Sequence, residues 1–264
     1  MLVSAQAGFA QELYVFTEPA SNMPAKSISV KATGMLGNVN GTLRQRYTPE
    51  VLFGISKNFM VHGAATFSNM QAGSPAWEGV YSYAKYRFLS KDAVHAHFRM
   101  AVFAEGGYSR NSLRYDELSV QGDVSGVQGG LIATQLINKL ALSSTVSYIK
   151  ALYDKDKLAY PNVTDKVMMY TLSAGYLVLP FEYESFDQMN FNIYTEFLAQ
   201  HSLGSKNTYF IDAAPAIQFI FNSNSKLNLG YRFQLKGNAD RDMQKRFQVS
   251  FEHTFFNALR RKKK

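Results

Sequence analysis

Apolar and polar residues alternate with a period of two along most of the chain, in runs of roughly ten residues. The runs predict twelve strands, near residues 27–35, 43–55, 59–67, 79–88, 94–107, 125–136, 140–150, 166–178, 189–199, 208–220, 227–235 and 244–256. The links between them alternate in character. After the even-numbered strands come Ser56-Lys57-Asn58, Ser90-Lys91-Asp92, Asn138-Lys139, 181–188 and 222–226, mostly short and rich in turn formers. The 181–188 link is longer than its class and leaves room for a short extra element. After the odd-numbered strands come links near 36–42, 68–78, 108–124, 151–165, 200–207 and 236–243, mostly longer and polar. Within the first of these, Asn40-Gly41 reads as a tight turn.

The final run, Arg246 to Phe256, shows the alternation most plainly. Phe247, Val249, Phe251 and Phe255 fall on one face, and Arg246, Gln248, Ser250, Glu252 and Thr254 on the other. With its aromatic end, this strand resembles the C-terminal signal of bacterial outer-membrane β-barrels, and the resemblance covers most of the chain. It implies an all-β fold: one transmembrane antiparallel up-and-down barrel over 27–256, with both termini periplasmic. It also implies the Gram-negative outer membrane as location, with membrane lipid and lipopolysaccharide around the wall. A run of about ten residues is what a tilted strand needs to cross a bilayer. An even strand number closes the sheet, leaving no backbone edge in lipid. Periodicity gives no absolute direction, however, and a soluble lipocalin-type barrel has the opposite polarity. The choice rests on the last strand, the strand count, the loop asymmetry and the N-terminus.

That N-terminus, residues 1–10, reads as the back half of a secretory signal peptide, with small residues at Ala5, Ala7 and Ala10. Residues 11–26 follow. Pro19 and Pro24 oppose regular structure there, while Leu13 to Phe16 are too apolar for a free linker. This segment is expected to pack at the periplasmic mouth or to enter the lumen as a plug.

Composition changes the picture little. The 264 residues are 46% hydrophobic and 14% aromatic, and no uninterrupted apolar run reaches the ~18 residues of a transmembrane helix. The 16 Tyr and 20 Phe suit aromatic girdles at the two membrane interfaces. Absence of cysteine removes disulfides and thiolate metal sites. Of the net charge of +8, five charges sit in Arg260-Arg261-Lys262-Lys263-Lys264. The segment 257–264 is therefore a basic periplasmic tail, and nucleic acid is not expected as a partner.

Alternation also assigns a lumen. Its basic members are Lys31, Arg44, Arg46, Lys85, Arg87, Arg99, Arg232 and Arg246; its acidic ones are Glu50, Glu105, Glu196, Asp212 and Glu252. The basic strands lie together once strand twelve closes on strand one, giving a basic wall with Glu196 and Asp212 opposite. Such a lumen favours small anionic or polar solutes, because low-dielectric walls focus the potential. Two further readings stay open: a non-conducting barrel whose loops or N-terminal segment assemble with other envelope proteins, and a lipid-modifying enzyme. The latter needs a serine within reach of a histidine base, and no motif of that kind stands out. His95-x-His97 and His62, with Met60, are weak metal candidates, more simply read as polar lining. No phosphate-cradling glycine loop or cofactor fingerprint is present, and no cofactor is expected.

Overall fold

The computed structural model describes residues 14–39, 41–70, 73–152, 164–182, 185, 187–204 and 206–260. The segment 1–10, expected as part of a signal peptide, residues 11–13, and residues 261–264 of the expected tail 257–264 lie outside them. Twelve strands form: β1 (Ser27–Val39), β2 (Thr42–Gly54), β3 (Phe59–Ser68), β4 (Ala76–Asp92), β5 (Ala96–Ser109), β6 (Gly126–Ile137), β7 (Leu140–Ala151), β8 (Lys166–Leu179), β9 (Asn190–Ser202), β10 (Tyr209–Phe221), β11 (Ser225–Gly237) and β12 (Lys245–Phe255). Each pairs antiparallel with its sequence neighbours, and β12 returns to β1, with Ile28 opposite Phe255 and Leu36 opposite Phe247, so the barrel is closed.

Two strand ends differ most from the pattern. The first link, expected near 36–42, is mostly strand: β1 and β2 pair up to Val39 and Thr42. Gly41 closes the turn at φ +81°, where a side chain would be strained, and its N–H donates to Asn38 Oδ1. Ser90-Lys91-Asp92, expected as a turn, belongs to β4 and pairs with β5 through Lys91 and Asp92, opposite Phe98 and His97. A bulge between Arg87 and Leu89 re-registers the pair and lets the ladder outrun the turn-forming residues.

Burial supplies the direction that periodicity left open. On β12 the apolar members Phe247, Val249, Phe251 and Phe255 are exposed, while Gln248, Ser250, Glu252 and Thr254 are buried. The same inversion holds on β9 and β10, where Ile193, Phe197 and Ile211 point out and Glu196, Asp212 and Gln218 point in. Each large apolar side chain left in water costs about 1.5–3 kcal/mol. A belt of them around a polar interior is stable in lipid.

One end of the barrel carries the tighter turns, such as Asn138–Lys139 with Asn138 at φ 51°; the other carries the link 110–125. At the turn end Lys26 is a junction. Its N–H donates to the Gly54 carbonyl at 2.6 Å, and its own carbonyl accepts from the Leu259 N–H at 2.9 Å. The turn that follows β12 therefore meets the chain at the foot of β1.

Candidate functional site in the lumen

Residues 14–24 run inside the barrel from the turn end. Two prolines and no regular partner strand leave their backbone groups unsatisfied, and the wall supplies the partners. Glu196 of β9, fully buried, accepts the N–H groups of Val15 and Phe16, both at 2.9 Å, and the Thr17 hydroxyl at 2.7 Å. Thr134 Oγ1 accepts the Ala20 N–H at 2.9 Å, and Gln248 Nε2 donates to the Val15 carbonyl at 2.9 Å. Lys85, at 0% exposure, donates to the Pro19 carbonyl at 2.7 Å and pairs with Glu18 at 3.2 Å. Arg99 Nη1 donates to Ser21 Oγ at 2.7 Å. Glycines make room: a Cβ at Gly230 would strike the Phe16 ring, and one at Gly54 would strike the Pro24 carbonyl.

The link 110–125 folds into the lumen from the other end. Its apolar residues Leu113, Leu118, Val120 and Val124 are buried against Ile149, Ala151 and Val167. Gln200 of β9 both donates to and accepts from the Leu118 backbone at 2.9 Å, and Thr66 Oγ1 donates to the Gln121 carbonyl at 3.0 Å. Its charges are carboxylates aimed at arginines. Glu117 meets Arg241 at 2.8 Å, Arg232 at 3.3 Å and Arg246 at 3.5 Å, and Asp123 pairs with Arg46. Burial alone would raise the Glu117 pKa. The guanidinium groups of Arg246, Arg241 and Arg232 outweigh it and hold the carboxyl well below the usual carboxylate range.

The side chains expected in the lumen are placed as follows. Lys31 pairs with Glu50 at 3.4 Å, and Lys226 with Glu252 at 3.2 Å. Arg44 donates to the Asn69 carbonyl at 2.6 Å near the loop end, and Arg87 to the Lys57 carbonyl at 2.8 Å near the turn end. Glu105 is buried on β5. A segregated wall does not result. Asp212, expected opposite the basic strands, lies beside Arg232, to which it is bonded at 2.6 Å, and also meets Arg241 at 2.7 Å. Glu196 faces the inserted segment. Desolvating a lone charge is expensive, so the charges interleave as pairs. Glu117, Asp123 and Arg241 escaped the sequence reading because it assigned faces only on strands, where alternation gives a rule. The histidines do not converge: His97 Nδ1 meets Asp92 at 2.8 Å, His62 Nδ1 meets Glu50 at 3.3 Å, and His95 is exposed in the turn before β5. Among the described residues no three metal-capable side chains come together.

Between the two inserts lies a cavity of about 230 Å³. Thr17 and Glu18 bound it toward the turn end and Glu117 and Leu118 toward the loop end, with Tyr83 and Arg246 among its walls. Solved structures share this architecture. An outer membrane channel from Pseudomonas putida F1 superposes with a TM-score of 0.61 at 11% identity, over 92% of this chain and 100% of that one. A KdgM porin matches with a TM-score of 0.50 at 15% identity, over 87% of this chain and 99% of that one. The fold is that of a Gram-negative outer-membrane β-barrel. No family model and no curated protein matches the chain. A barrel of this fold puts its apolar belt in lipid and keeps its polar and ionic groups for the lumen. The matched structures are a channel and a porin.

Proposed function

We propose that the barrel is a channel for small polar solutes, oriented with its turn end in the periplasm, and that the lumen described above is its occluded state. The carrying observation is what fills the lumen. Eight-stranded barrels are filled by their own wall side chains. Here two segments that are not wall, 14–24 and 110–125, fill the space, and beside their apolar contacts they are held by hydrogen bonds and ion pairs that water or a polar solute can replace. A cavity stays between them. An anion preference follows if residues 110–125 withdraw, because that motion takes Glu117 from Arg246 and leaves Arg232 with Asp212 and Arg46 with Glu78 as their remaining carboxylates.

The test is single-channel conductance in planar bilayers under a potassium chloride gradient. The full chain is expected to open rarely and briefly, and a variant lacking 14–24 to open for longer. Its reversal potential should show chloride preference, weakened by Arg246→Gln. The paired charges and the inserted segment also suit the second reading, a non-conducting barrel that assembles with envelope proteins. Silence from both proteins, each shown to be folded, would decide for it.

A further inference from the structure

The wall of the cavity formed by β3, β4 and β5 is built differently from the rest. His62, Tyr83 and Glu105 stand in one row, each opposite the next across the strand pairs. The Tyr83 and Phe103 rings stack with centroids 5.3 Å apart, and His62 lies 4.6 Å from Tyr83 on its other side. Gly130 gives Phe103 its place, since a Cβ there would run into the ring. Glu105, Tyr83, Phe103 and His62 are each more than nine-tenths buried. All four line the cavity.

This row contains a carboxyl group to which the fold brings no cation. Of the nearby carboxylates, Glu18 has Lys85 and Glu50 has Lys31 and His62. Among the described residues Glu105 has no ion-pair partner, and its Oε1, buried, has no hydrogen-bond partner. The Tyr83 hydroxyl and His62 Nε2 are likewise unpartnered. A buried carboxylate oxygen without a donor is costly, and aromatic faces beside it attract positive charge through their quadrupole. The cavity is far above the roughly 15 Å³ that a single water needs.

We infer that this wall is a binding site for an organic ammonium group, quaternary or protonated, seated against Glu105 and the faces of Tyr83 and Phe103. The inference rests on the reading of the lumen as a solute path and adds a chemical class to it. With hydrogen-bond donors, a protonated amine also reaches the Tyr83 hydroxyl and His62; a quaternary one relies on the rings and the charge.

Calorimetry on the full-length protein folded in detergent tests it, with choline chloride as probe and its neutral isostere 3,3-dimethylbutan-1-ol as control. Choline is expected to bind about tenfold or more tightly than the neutral alcohol, which is the size of one desolvated cation–π contact. Glu105→Gln and Phe103→Leu should each abolish that preference, with barrel formation checked by far-UV circular dichroism. Equal binding of choline and the alcohol to the unmodified protein would overturn the site without reference to any variant. So would a choline preference that survives Glu105→Gln, the result expected if Glu105 is a protonated, purely structural residue. The two readings separate in the bilayer. Openings that choline neither blocks nor binds would remove the ammonium site and leave the channel. Choline binding by a protein that never conducts would leave the site and remove the channel.

Discussion

Glu196 shows how one side chain serves a purpose its position does not announce. Its place on the inward face of β9 is legible from alternation with Phe191, Ile193 and Phe197. Its partners are not, because they lie some 180 residues away in a segment without periodicity. A carboxylate that takes two backbone N–H groups and a hydroxyl holds that segment by charge-assisted bonds, each typically about 1.5–3 kcal/mol when buried. Glu196→Ala should lengthen the open time of the channel by about tenfold or more, since ~1.4 kcal/mol is a factor of ten. Open-time histograms of variant and parent would check it. Gly230→Val should act in the same direction by denying Phe16 its place on β11, while leaving the strand's outward residues untouched. Both changes should spare the Glu117 cluster.

Among the elements, the link 110–125 carries a buried carboxylate held by three arginines, and its pH response has a definite sign. The Glu117 carboxyl is held below its ordinary range in the folded protein. Its contribution is therefore complete above the unfolded carboxylate pKa, near 4.3, and is lost only as pH falls through the lower folded value. Opening rates should stay flat from about pH 8 to about pH 5 as far as this carboxylate is concerned, and rise only in stronger acid. Glu117→Gln should lift opening at neutral pH and flatten the acid rise. A pH series of single-channel recordings reads both. The strands were legible because a two-residue period survives every local exception. Their ends were less so: Ser90-Lys91-Asp92 has turn chemistry, but cross-strand pairing to β5 decides the matter. The ion pairs of the inserted link were illegible, since a loop residue's neighbours depend on where the loop folds.

At the scale of the molecule, the structure is inside-out relative to a soluble domain, and its stability is tied to the solvent around it. The pattern on β12 carried that information in the sequence, and burial gave it direction. A charge placed on the outward face near the bilayer midplane costs roughly 2–4 kcal/mol in such barrels. Val249→Arg, facing lipid on β12, should lower folding stability by about that amount, whereas Ser250→Thr, its inward neighbour, should change it little. Urea titrations of folding into lipid vesicles would compare the two. The junction at Lys26 has a mechanical consequence. The carbonyl that Leu259 grips belongs to the residue where the lumenal segment enters, so the turn after β12 and the foot of that segment share a single lever point. Force applied beyond Leu259 reaches the foot of that segment across one hydrogen bond, without passing through the wall.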